Sequence, residues 1–256
     1  LALARRRAGS IVAGVTSRQN AVPARVSCCI HPSGLSGIRH LAMPKARLRS
    51  ASALAQLIIY YAHPGHQYSH VNSRMADVAA VTEGVTFVDL YAEYPRFDID
   101  IDREQQRLLD HDVILFQFPM FWYSTPSLIK EWEDLVLEHG FAYGHDGTAL
   151  TGKRMLLAVS AAGPEDAYTP NGYQHYPIRT FLAPLEQTAR LCKMEFSPPY
   201  VLYGSLQAPD DGRLEAHVAG YRRLIEAIRD DAYDFDAVRG RDAVHAGALA
   251  IPGARA

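Results

Sequence analysis

The stretch DVILFQFPMFWYSTPSLIKEW, residues 112–132, holds an unbroken apolar run, then three adjacent aromatic rings, then a proline that opens an amphipathic segment. Residues 112–118 are short and apolar enough for a strand buried on both faces, the kind that lies in the middle of a parallel sheet. Pro126 stands where the first turn of a helix tolerates proline, and SLIKEWEDLVLEHG continues as a helix to Gly140, a natural stop. The order is therefore strand, aromatic loop, helix.

The same unit recurs on both sides. QLIIYYA (56–62) predicts a first strand, followed by a helix from about Asn72 to Val81. GVTFVDLY (84–91) predicts a second strand and DREQQRLLDHD (102–112) its amphipathic helix. KRMLLAVSA (153–161) is a fourth strand, PIRTFLAPLEQTARLC (177–192) a helix bent at Pro184, and EFSPPYVLYG (195–204) a fifth strand. DGRLEAHVAGYRRLIEAIRDD (211–231) closes the series as a helix. Five alternations of β and α call for a doubly wound, five-stranded parallel sheet with helices on both faces. Residues 56–232 carry this pattern, and 233–256 read as a C-terminal tail.

Residues 1–55 differ in kind. They hold nine Lys/Arg and no Asp or Glu, and show no periodicity. They read as an extension, disordered or non-native, with Met43 as an internal start, and the alternative is an Arg-rich targeting leader. Taking those nine from the chain's 26 basic residues leaves 17 against 28 acidic ones, a balance of −11. A body this acidic is a poor partner for nucleic acid, whose affinity comes largely from phosphate neutralisation. No apolar run reaches the length of a membrane span. Cys28, Cys29 and Cys192 show neither CxxC nor Cys/His metal spacing, which predicts free thiols in a reducing compartment.

In such sheets ligands bind at the carboxyl ends of the strands, where the strand order reverses. The loop after strand one, HPGHQYSHVN (63–72), runs straight into a helix, so Ser69, His70 and Asn72 can stand beside free backbone N–H groups as a phosphate seat. Simple capping of the helix by Ser69 or Asn72 is the competing reading. His63, His66 and His70 lack a nearby acidic or thiolate partner, so no metal is expected. Gly147–Arg154 matches GxxxxGK, but Arg154 replaces the Mg²⁺-ligating hydroxyl and the stretch precedes a strand instead of following one. Met120, Phe121, Trp122 and Tyr123 suit a large flat ligand such as a flavin, or else pack as core or interface aromatics. The third loop offers small residues, Ala161, Ala162 and Gly163, followed by Tyr168, Tyr173 and His175 as proton donors.

IIYYAHPGHQYSHVN, FPMFWYSTPSLIKEWEDLV, HGFAYGHDGTALTGK and LAVSAAGPEDAY together resemble the flavodoxin-like NAD(P)H:quinone oxidoreductases. Within them the likeness is greatest to the ancillary flavoproteins of glutathione-regulated potassium-efflux systems, over about residues 56–230. The resemblance implies a flavodoxin-like fold, a homodimer, FMN with FAD as the alternative, and ping-pong two-electron transfer from NAD(P)H to a quinone. It assigns cofactor contacts to His63, Ser69, His70, Val71 and Asn72, to Met120, Phe121, Trp122 and Tyr123, and to Ala161, Ala162, Gly163 and Pro164. A Thr-Gly-Gly-Gly type sequence is usual in that last loop, so this chain lacks a hydroxyl and one N–H donor there. Tyr168 and His175 take the catalytic roles, with the histidine one residue beyond its usual spacing. Phe141, Tyr143 and His145 are expected to line the partner's substrate pocket. Cytoplasmic location follows, with peripheral attachment to the inner face of the membrane if the chain docks on a potassium-efflux antiporter. That regulatory role and one-electron carriage are the two rival functions.

Overall fold

The computed structural model describes residues 55–252. The expectations for the basic segment, Cys28 and Cys29 included, lie outside the described residues. Within them, one parallel sheet is built from β1 (Leu57–Tyr61), β2 (Val85–Asp89), β3 (Val113–Pro119), β4 (Arg154–Ser160), β5 (Glu195–Phe196) and β6 (Tyr200–Leu202). The order is β2-β1-β3-β4-β5, with β6 also paired to β4 in line with β5. Five positions result, and the fifth is split. Ser197-Pro198-Pro199 interrupts it because proline offers no N–H to the ladder.

Successive side chains of the central strands point to opposite faces, and each face is covered. Ile114, Phe116 and Phe118 pack with α3 (Ile101–Asp110), α4 (Ser127–Val136) and α6 (Ala183–Leu191) through Leu108, Trp132 and Leu185. Val113 and Leu115 pack on the other side with α1 (Asn72–Val81) and α7 (Arg213–Arg229) through Met75, Val78, Leu224 and Ile225. Gln117 belongs to this second face by parity and is fully buried there.

Several boundaries move for identifiable reasons. The second strand stops at Asp89, whose carboxylate accepts Tyr91 and Ala92 N–H and starts the single turn α2 (Leu90–Glu93). α4 ends at Val136 instead of Gly140, and the Gln105 side chain takes the Val136 carbonyl at 3.1 Å. The helix expected over 177–192 breaks at Leu182 into α5 (Ile178–Phe181) and α6, two residues before Pro184.

Residues 233–252 form no helix or strand, yet they lie against the body as a strap. Tyr233, Val238 and Val244 are buried. Val244 accepts Val201 N–H at 2.9 Å and donates to Pro199 at 2.8 Å, so the strap covers the open side of β6.

Candidate functional site

The carboxyl ends of β1, β3 and β4 bring three loops together. In the first, His63 is half-buried, its Nδ1 accepting Gly65 N–H at 3.1 Å and its ring edge-on to Phe121. Burial holds the His63 imidazole below its ordinary pKa, and nearby His66 adds to this, so it is neutral at neutral pH. His66 Nδ1 meets the Tyr61 hydroxyl at 2.8 Å. Ser69 Oγ accepts Ser73 N–H at 3.2 Å from two residues ahead of the N-cap, Val71, which itself makes no side-chain capping bond, and the other N–H groups of the first turn have no partner within the helix. His70 is exposed and Val71 buried.

Asn72 is placed differently from a simple ligand contact. It is 2% exposed, and its Nδ2 donates to Ser160 Oγ at 2.7 Å. Its Oδ1 is buried without a partner, an orphaned polar atom at the base of the loop.

The second loop is a tight turn. Phe121 and Ser124 exchange both backbone hydrogen bonds, at 3.1 and 3.0 Å, and the two residues between them have φ +49° (Trp122) and +65° (Tyr123). That is the geometry of a mirror-image turn, normally given to Asn-Gly. Two bulky aromatics in the left-handed region are a genuine outlier. Trp122 is 93% exposed, and Phe121 and Tyr123 are also exposed, while Met120 is half-buried and its N–H is fixed by Ser160 O at 2.9 Å.

In the third loop Ala161 and Gly163 are buried, Ala162 and Pro164 exposed. A Cβ on Gly163 would sit 2.9 Å from the Tyr173 hydroxyl and 3.1 Å from the Tyr168 ring, so a larger residue there would make both tyrosines shift. Tyr168 is buried to 8% exposure, and burial, then Tyr173 and Tyr123, raise its pKa. It therefore stays a neutral donor. His175 lies exposed at φ +64° in the turn that follows, its N–H bonded to Gly172 O.

Phe181 ties the second and third loops together. Its ring stacks on Tyr123 at 5.1 Å and meets Tyr168 and Tyr176 edge-on, while Tyr203 leans on Tyr168 at 5.4 Å. Phe181, Tyr203 and Ser160 were not singled out by sequence. Phe181 reads as one apolar position of a helix, and its partner Tyr123 is 58 residues away.

Phe141, Tyr143 and His145 are not at this end. α4 carries the chain back toward the amino-terminal ends of the strands, where Gly152 N–H bonds Lys193 O and Lys193 Nζ bonds Gly147 O, both at 3.0 Å. Tyr143 there packs edge-on to His139. Among the described residues no cluster of three His, Cys, Asp or Glu is arranged for a metal, and no helix is long and apolar enough to cross a membrane. Cys192 is a buried free thiol, pushed up to about 11 by burial and then by Glu133.

The sequence profile of the flavodoxin-like fold matches residues 55–225, two thirds of the chain. The chain belongs to that family. It is 42% identical over 171 residues to the glutathione-regulated potassium-efflux system ancillary protein KefF of Klebsiella aerogenes, covering 66% of this chain and 95% of that protein. The general stress protein 14 of Treponema denticola, solved in complex with FMN, superposes with a TM-score of 0.63 at 34% identity, over 68% of this chain and 99% of its own. An NADPH-quinone reductase from P. pentosaceus superposes with a TM-score of 0.56 at 28% identity, over 66% and 96%. The flavodoxin-like family places its ligand-bearing loops at the end of the sheet where the aromatic turn and the first turn of α1 lie here.

Proposed function

We propose that the chain is an FMN-dependent NAD(P)H:quinone oxidoreductase. The observation that carries this is the Phe121–Ser124 turn, which holds two aromatic residues at positive φ on a central strand's end, beside a helix N-terminus. Backbone strain of this kind persists where a site needs it. The FMN-bound and quinone-reducing relatives, and the unpartnered Asn72 Oδ1 between the loops, support the same reading.

When bound, FMN supplies the centre that accepts hydride from NAD(P)H and yields it to a quinone. The chain does the rest. Free N–H groups at the start of α1, with His70 beside them, would seat its phosphate, and the neutral His63 adds no charge of its own. Phe121, Trp122 and Tyr123, exposed on this turn, would offer one wall of apolar ring surface to nicotinamide and quinone in turn. Ala161 to Pro164 let the backbone approach the ring's edge. Tyr168, protonated throughout the neutral range, donates a hydrogen bond where negative charge develops, with His175 as a second donor from its exposed turn.

One wall serving two substrates requires that one leave before the other enters. Steady-state rates with varied NAD(P)H and quinone should therefore give parallel double-reciprocal lines; intersecting lines would mean both bind together. Phe141, Tyr143 and His145, at the far end of their own subunit's sheet, are assigned to the pocket of a dimer partner. A full-length chain that sediments as a monomer while active would rule that out.

The 42% identity to a potassium-efflux ancillary protein favours a second reading, in which this flavoprotein docks on an antiporter and its reductase activity is subordinate. FMN binding without NAD(P)H oxidation would bring that role forward.

A further inference from the structure

Gln117 interrupts an otherwise apolar strand and is fully buried. A carboxamide in that place costs free energy unless both its ends are bonded. Both are. Nε2 donates to the Asn72 carbonyl at 2.8 Å, and Oε1 accepts the Tyr221 hydroxyl at 2.9 Å. Its backbone carbonyl accepts Ala62 N–H at 3.0 Å. Ala62 begins the loop after β1 and Asn72 ends it, so one residue of the neighbouring strand holds both ends of the segment that carries His63, Ser69 and His70.

The connection goes further. Asn72 reaches Ser160 Oγ through its amide, and the Ser160 carbonyl fixes Met120 N–H at the root of the aromatic turn. Tyr221 is itself buried in α7 with its pKa raised by burial, so it remains a protonated donor to Gln117. A continuous buried relay thus runs Tyr221–Gln117–Asn72–Ser160 beneath the loops. A hydrophobic residue at 117 would fill the strand as well and would cost no desolvation, so stability of the sheet alone does not call for glutamine.

We propose that Gln117, held by Tyr221, is a positioning residue for the cofactor's phosphate: it fixes the first turn of α1 so that its N–H groups converge on one anion. This rests on the flavin reading above. Its specific consequence is a loss of affinity confined to phosphorylated flavin.

The test is to titrate FMN and riboflavin into the full-length apoprotein by fluorescence quenching, for wild type, Gln117→Met and Tyr221→Phe, with a thermal melt of each. Loss of one orienting hydrogen bond should raise the FMN Kd of Gln117→Met about tenfold and leave that for riboflavin within about twofold. Tyr221→Phe should move the FMN value in the same direction by about threefold. If both flavins weaken by a common factor, or the ratio of their Kd values stays at the wild-type figure, Gln117 only supports the fold and the proposal is overturned. Should Gln117→Met fail to fold, an unchanged ratio in Tyr221→Phe overturns it equally. Wild-type protein that binds neither flavin would reject the flavin reading itself, and this inference with it.

Discussion

At Trp122 and Tyr123 the backbone adopts a conformation that each residue would avoid in isolation, at a cost of about 1 kcal/mol apiece. The Trp122 side chain recovers none of it from burial, since 93% of it is exposed. Trp122→Gly separates the two sides of that balance. Unfolding stability should stay level or rise by about 1 kcal/mol, because glycine accepts φ +49° freely, whereas the FMN Kd should rise at least about tenfold. A destabilised variant with undiminished FMN affinity would show that the ring packs and does not bind. The aromatic run was visible in the sequence, but its backbone was not, since nothing in Phe-Trp-Tyr-Ser announces a mirror-image turn. Gln117 was likewise absorbed into an apolar run, because its partners Asn72 and Tyr221 lie 45 and 104 residues away.

Among the elements, α7 carries a titratable group with a direct bearing on pH stability. His217 is buried, stacks on Tyr200 at 4.3 Å, and leaves Nε2 unbonded. Burial, and then His245, pull its pKa down to about 3. As pH falls below the unfolded value near 6.5, the unfolded chain takes up the proton first, so stability is full above that pH and drains away on the acid side. The slope approaches about 1.4 kcal/mol per pH unit. Glu133 works the other way: burial raises its carboxyl to about 7, so the folded chain binds the extra proton and gains stability as pH falls toward the ordinary carboxylate range. The wild-type curve mixes the two, and His217→Phe isolates one of them while keeping a ring against Tyr200. In urea unfolding, wild type should lose up to about 2 kcal/mol more than the variant between pH 6.5 and 5. Identical slopes would mean that His217 takes up its proton as readily in the fold as in the unfolded chain. At this scale the sequence was informative where periodicity was strong. The helix over Asn72–Val81 and the central strands stand where predicted, whereas the breaks at Asp89, Val136 and Leu182 depend on side-chain capture of backbone groups and on one proline.

For the whole molecule, alternation of β and α sufficed for a parallel sheet wrapped on both faces, because apolar parallel strands must be covered on each side. The strap was illegible: Tyr233, Val238 and Val244 are isolated apolar positions without a period, and only the open edge of β6 shows what they cover. The candidate site was legible as three loops and illegible as a unit, since Phe181 joins the second and third from a helix and Phe141 to His145 sit at the opposite end. What the assembled end of the sheet does is tested most directly by anaerobic stopped-flow on the full-length protein reconstituted with FMN. Flavin absorbance would be followed after NADPH or NADH, and then after a benzoquinone. Complete bleaching by a reduced nicotinamide and complete recovery on adding the quinone are the expected results. Flavin that binds but is bleached by neither nucleotide would contradict it.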